Sequence, residues 1–143
     1  ILNEKNGPPP EINLFNEKNN GETLLKLIDS DLIRSAHDIS IGGILTAVSK
    51  MCIKGNKGIN LKEPKFLINQ IEYFFAEDQG RYVIEITNEN LAKVTHILNK
   101  NAVHFDELGT INENQLFIND KTKITIDELK TWNTSWLTNY MSK

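Results

Sequence analysis

Ile44, Leu45, Val48, Met51 and Cys52 recur at i, i+1, i+4, i+7 and i+8, the spacing of one helical face. The preceding residues 35–41 read as extended, and Gly42-Gly43 separates the two patterns. Glycine tolerates a sharp bend because it has no Cβ to clash. The pattern predicts a short strand, a glycine turn and then a helix running to about residue 54.

The same helical spacing predicts a helix over 22–33, with Leu24, Leu25, Ile28 and Leu32 inward. It predicts another over 88–99, capped by Asn88, with Leu91, Val94, Thr95 and Leu98 inward and His96 solvated. A final helix starts at Asp127, a candidate N-cap. Its Leu129, Trp132 and Trp136 fall at i, i+3 and i+7, which reads as core packing. Short apolar or alternating runs predict strands at 59–61, 72–76, 81–87, 115–118 and 123–126. A further strand carries Val103, Phe105 and Leu108, and Asn112-Glu113-Asn114 reads as a hairpin turn. Glu63-Pro64 marks a turn or helix start, and 66–71 is irregular or a short helix. The expected fold class is α/β (α+β-like): one mixed sheet of about five or six strands with helices packed on it.

Gly7-Pro8-Pro9-Pro10 makes the opening stiff and extended. The expected organisation is a lead-in over 1–20 and a single domain over 21–143. At 143 residues the chain is long enough for a real core, and its start at Ile1 reads as a piece of something longer. The net charge of −3, with no basic block, argues against a nucleic-acid surface. No apolar run approaches the ~18 residues of a membrane span, and no signal peptide opens the chain. A lone cysteine suits a reducing cytoplasm, and Cys52, inside the apolar stripe, reads as a small buried hydrophobe. His37, His96 and His104 share no ligand spacing, so no metal site and no catalytic residue is assigned.

Two stretches carry candidate chemistry. Asp38 and Ser40 stand just ahead of a helix start, where bare N–H groups and the macrodipole favour an anion such as phosphate. The plainer reading is an ordinary strand-to-helix turn with Ser40 as cap. His37 and Asp38, as strand neighbours, should point to opposite faces. In Glu77-Asp78-Gln79-Gly80, the side chains of Glu77 and Gln79 either hold a ligand's donors or bond the backbone of a turn.

Ser35-Ala36-His37-Asp38-Ile39-Ser40-Ile41-Gly42-Gly43 resembles the His-Asp-Ile-Ser-x-Gly-Gly signature of the formylglycinamidine ribonucleotide synthetase family, the phosphoribosylformylglycinamidine synthases. Three further stretches match in order. Phe74-Phe75-Ala76-Glu77-Asp78-Gln79-Gly80-Arg81 is similar to the family's Phe-x-Glu-Ser-Gln-Gly-Arg segment. Leu108-Gly109-Thr110-Ile111 resembles its Ile-Gly-x-Val strand, and residues 126–136 its closing tryptophan-bearing helix. The resemblance implies the fold of the C-terminal domain of aminoimidazole ribonucleotide synthetase, with opening strands upstream of this chain.

It also implies part of an ATP-dependent ligase of purine biosynthesis, with ATP and magnesium used by the whole enzyme and none certain in this fragment. The implied partners are the rest of the synthetase polypeptide, a glutaminase domain or subunit, and a small-molecule substrate. Asp38, Ser40, Gly42 and Gly43 become the phosphate or nucleotide candidates, and Glu77 and Gln79 the substrate candidates. The family usually has an acidic residue where this chain has Ile41, which puts any role of that carboxylate in doubt here. Two alternatives stay open: a non-catalytic capping domain, or the C-terminal domain of a related synthetase of the aminoimidazole ribonucleotide or selenophosphate type.

Overall fold

The computed structural model describes residues 11–62, 69–119 and 121–142. The proline-rich opening, Glu63-Pro64 and residues 66–68 lie outside them. In chain order the elements are α1 (Leu14–Asp29), β1 (Ser35–Asp38), α2 (Gly43–Gly55), β2 (Gly58–Leu61), α3 (Gln70–Phe75), β3 (Tyr82–Glu85), α4 (Asn88–Lys100), β4 (Gly109–Asn112), β5 (Gln115–Ile118), β6 (Thr122–Thr125) and α5 (Ile126–Met141). The mixed α/β class holds, but the described strands form two sheets rather than one. They belong to two compact units.

The first unit holds α1, β1, β3 and α4. β1 and β3 pair antiparallel, with Ser35 opposite Glu85 and Asp38 opposite Tyr82. Both long helices stop by the same device. Asp31 and Ala102 take left-handed backbone angles (φ 53° and 52°) just past the helix ends. The Leu32 N–H then donates to Leu27 O at 3.1 Å, and the Val103 N–H to Leu98 O at 2.9 Å. These are Schellman closures, which bring an apolar residue beyond the helix back onto its last turn. That contact builds the core: Leu27, Leu32, Val94 and Leu98 cluster, with Val103 and Ile84 packed against them. Each such burial contributes about 1.5–3 kcal/mol.

Several expectations fail in this unit. α1 starts at Leu14, not 22, because Asn13 accepts a hydrogen bond from the Asn16 N–H and nucleates the helix inside a polar run. Its inward residues are Thr23 and Leu27, while Leu25 and Ile28 are exposed, because the Schellman contact fixes the helix rotation. α4 is preceded by Thr87 rather than capped by Asn88, and Leu91 faces solvent. Residues 103–108 form no strand, since Val103 is used in the α4 closure.

The second unit holds a four-stranded sheet in the order β4-β2-β5-β6, with α2, α3 and α5. β2 and β5 run parallel; the other pairs are antiparallel. α2 packs against both α3 and α5. It buries Ile44, Ala47, Val48 and Cys52, and α3 buries Phe74. Residues 72–76, expected as a strand, instead lie mostly within α3, because Asn69 caps the Ile71 N–H and starts a helical turn. Asn112-Glu113-Asn114 is not a hairpin. β4 and β5 each pair with β2 and not with each other, so this corner crosses the end of β2. Asn112 holds the corner by accepting from the Gln115 N–H at 3.0 Å and donating to Gln115 O at 2.8 Å. Gly58 sits beneath it, where a Cβ would strike the Gln115 backbone.

α5 is capped by Thr125, not Asp127. Thr125 and Glu128 form a reciprocal capping box: Thr125 Oγ1 accepts from the Glu128 N–H, and Glu128 Oε2 accepts from the Thr125 N–H at 2.8 Å. Trp132 and Trp136, expected in the core, are 58% and 67% exposed.

Candidate functional site

β1 carries the chain into the glycine turn as the sequence pattern predicts. Its pairing with β3 continues past Asp38, where the Ile39 N–H donates to Arg81 O at 2.9 Å. Ile39 is buried, Ser40 is exposed, and Ile41 is 81% exposed. Gly42 then occupies the N-cap position of α2 at φ 83°, with no side-chain cap and no acidic residue in the first turn. Ser40 therefore does not cap the helix.

What surrounds the two glycines explains them. A Cβ on Gly42 would run into the Thr46 side chain. A Cβ on Gly43, at φ 67°, would lie 2.6 Å from Phe74 O and 2.7 Å from Phe75 Cα. The last turn of α3 thus rests directly on Gly43, which is buried. The close backbone approach that glycine allows is made here by another helix.

His37 and Asp38 do meet, contrary to the strand-neighbour expectation. The His37 Nδ1–H donates to the Asp38 carbonyl oxygen at 2.6 Å, and the Asp38 carboxylate reaches within 3.3 Å of the same nitrogen. Asp38 is the last residue of β1, so its side chain is free of the alternation that holds inside a strand. A carbonyl can only accept, which places a proton on Nδ1.

The 77–80 segment is stitched onto α1 rather than built as a hairpin. Gly80, at φ 67°, leaves room for Glu17, whose Cγ would lie 2.7 Å from a Cβ there. Asn20 Nδ2 donates to Gly80 O at 3.0 Å. Arg81 Nη1 donates to Asp78 Oδ2 at 2.6 Å. Glu77 and Gln79 stay exposed. Glu17 and Asn20, which support this loop together with Arg81, were not singled out by sequence. The legible signal was the i, i+3 spacing of Glu17 and Asn20 on one helix face.

Asp38, Ser40, Glu77 and Gln79 belong to the first unit, whereas Gly42 and Gly43 belong to the second. Among the described residues no three His, Cys, Asp or Glu side chains come together as a metal site. None of the described helices is long and apolar enough to cross a membrane.

This mixed α/β chain, with its Gly-Gly turn into α2, matches one synthetase-type family. The model for that family, AIR synthase related protein, C-terminal domain, matches residues 1–120, and the chain belongs to it. The chain is similar to the phosphoribosylformylglycinamidine synthase subunit PurL of Pelagibacter ubique, with 67% identity over 99% of this chain and 19% of that protein. It is 36% identical to the same subunit of Bartonella bacilliformis, again over 99% of this chain and 19% of the relative. The chain therefore spans about a fifth of the length of these relatives. Among solved structures it resembles Thermotoga maritima PurL complexed with FGAR, at TM-score 0.68, 23% identity and coverage of 82% of this chain and 21% of that one. It also resembles the structure of PurLQS from the same organism, at TM-score 0.67 and 22% identity, covering 90% of this chain and 23% of that one. These structural likenesses establish the fold.

Proposed function

We propose that this chain is the C-terminal portion of a phosphoribosylformylglycinamidine synthase. The whole enzyme would join formylglycinamide ribonucleotide to ammonia drawn from glutamine, with ATP converted to ADP and phosphate. The observation that carries this reading is the 67% identity across nearly the whole chain. A PurL of Thermotoga maritima has been solved complexed with ATP, which supports ATP as the co-substrate of the whole enzyme. In such chemistry the amide oxygen is activated by phosphoryl transfer and then displaced by ammonia, with magnesium neutralising phosphate charge. The described residues gather no metal-ligand set, and Ile41 stands where the resembling family usually has an acid, so this portion offers magnesium no carboxylate cluster. The enzyme is placed in the cytoplasm, with a glutaminase domain or subunit as ammonia source.

Within this portion, exposed Asp38, Ser40, Glu77 and Gln79 are the polar groups for substrate or phosphate contact. The amides of the Gly42-Gly43 turn are the anion candidates, since the α2 dipole there has no acidic residue to offset it. A second reading makes this portion a non-catalytic cap. It is favoured by the packing of Thr46 and α3 on the two glycines.

The test is ADP release by the full parent polypeptide supplied with formylglycinamide ribonucleotide, ammonia and ATP. Turnover dependent on all three is expected; its absence, or robust turnover by residues 1–143 alone, would overturn the assignment. Ser40→Ala and Gln79→Ala then separate the two readings. A raised KM with an unchanged melting profile supports ligand contact, and unchanged kinetics supports the cap.

A further inference from the structure

The apolar stripe of α5 is only partly used. Ile126 and Leu129 in its first turn are buried at 2% and 9% exposure. The same side of the helix continues through Trp132, Trp136, Leu137, Tyr140 and Met141, which are 58–75% exposed. Trp136 and Tyr140 stack on each other, with ring centroids 5.6 Å apart and planes 11° from parallel. Residues 131–142 contain no charged side chain. A helix face meant for water carries charges, and a contiguous aromatic patch of this kind marks an interaction surface.

Two observations say what covers it. The family model stops at residue 120, so α5 lies outside the shared module. The PurL relatives nevertheless align over 141 residues, so the segment is common to the chain and to those longer proteins. About four-fifths of such a protein lies outside this chain. An uncharged, aromatic and aliphatic face is also the composition of a permanent contact, whereas transient subunit contacts are more polar. We infer that Trp132, Trp136, Leu137, Tyr140 and Met141 dock against the remainder of the same polypeptide. This rests on the proposed function for the existence of that remainder. α5 is then the strut that fixes this portion to the rest of the enzyme.

The experiment is hydroxyl-radical footprinting of the full parent polypeptide at low concentration, read by mass spectrometry at Trp136, Tyr140 and Met141. Oxidation several-fold slower than in the same peptide after unfolding is expected. Equal rates would overturn the inference. Protection that appears only on adding a glutaminase subunit, or only at high protein concentration, would also overturn it, assigning the face to another protein or to a second copy. Ligase turnover is measured in the same preparation. An active enzyme with fast oxidation sinks only the docking face, whereas a protected face on an inactive polypeptide sinks only the proposed activity.

Discussion

Helices α2 and α5 pack on one another but begin in opposite ways. α5 closes its own N-terminus with side chains, through the Thr125–Glu128 box, and carries Asp127 and Glu128 in its first turn. α2 begins on a bare glycine, without a side-chain cap or an acidic first turn, and is held by what leans on it. A helix start secured by local side chains is cheap to disturb. One secured by tertiary contact is costly to disturb.

That contrast gives an order of effects. Gly43→Ala should be the most damaging, at about 3 kcal/mol or more. It combines a positive φ with overlap against the α3 backbone, which cannot swing aside. The check is the unfolding midpoint of the parent polypeptide. A wild-type midpoint would mean that α3 does not rest on this glycine and that the turn is open after all. Gly42→Ala should cost less, about 1–3 kcal/mol, since its obstacle is a side chain. Adding Thr46→Ala should recover part of that loss, so the double variant is less damaged than the sum of the singles. Thr125→Ala should cost about 1 kcal/mol, the ordinary value of a lost cap.

The smallest effect lies at acid pH. Glu128 is held below its ordinary value of 4.5, first by the Thr125 hydroxyl and then by the Thr125 N–H. A lowered folded-state pKa contributes stability above the unfolded value, and this is lost as pH falls through 4.5 toward the folded value. Glu128→Gln should flatten that part of the stability–pH curve, and an unchanged acid limb would remove the box from the account of α5.

The sequence shows α2 because apolar spacing and burial coincide there, and α4 through Val94 and Leu98, although Leu91 on the same stripe faces solvent. It points to the wrong cap for α5 because Asp127 and Thr125 are both good caps, and only the reach of Glu128 decides between them. It misreads 72–76 because Tyr73, Phe74 and Phe75 favour strands, whereas the Asn69 cap and burial of Phe74 impose a helix. Trp132 and Trp136 lie on an apolar stripe as expected, but periodicity does not say whose core the stripe enters. For the candidate site, the signature located the turn correctly. What it could not convey is that α3 fills the space beside Gly43, because that contact joins residues about thirty apart in the chain.

The order β4-β2-β5-β6 has a consequence during synthesis. Strand β2 has partners on both sides, and both come late: Asn112, which bonds Asn60, follows it by 52 residues. At roughly 5–20 residues per second, β2 leaves the ribosome several seconds before either neighbour exists. For that interval its Ile59 and Leu61 are exposed along with two rows of unpaired amides, so nascent chains stalled between residues 62 and 109 should be the species most prone to chaperone capture.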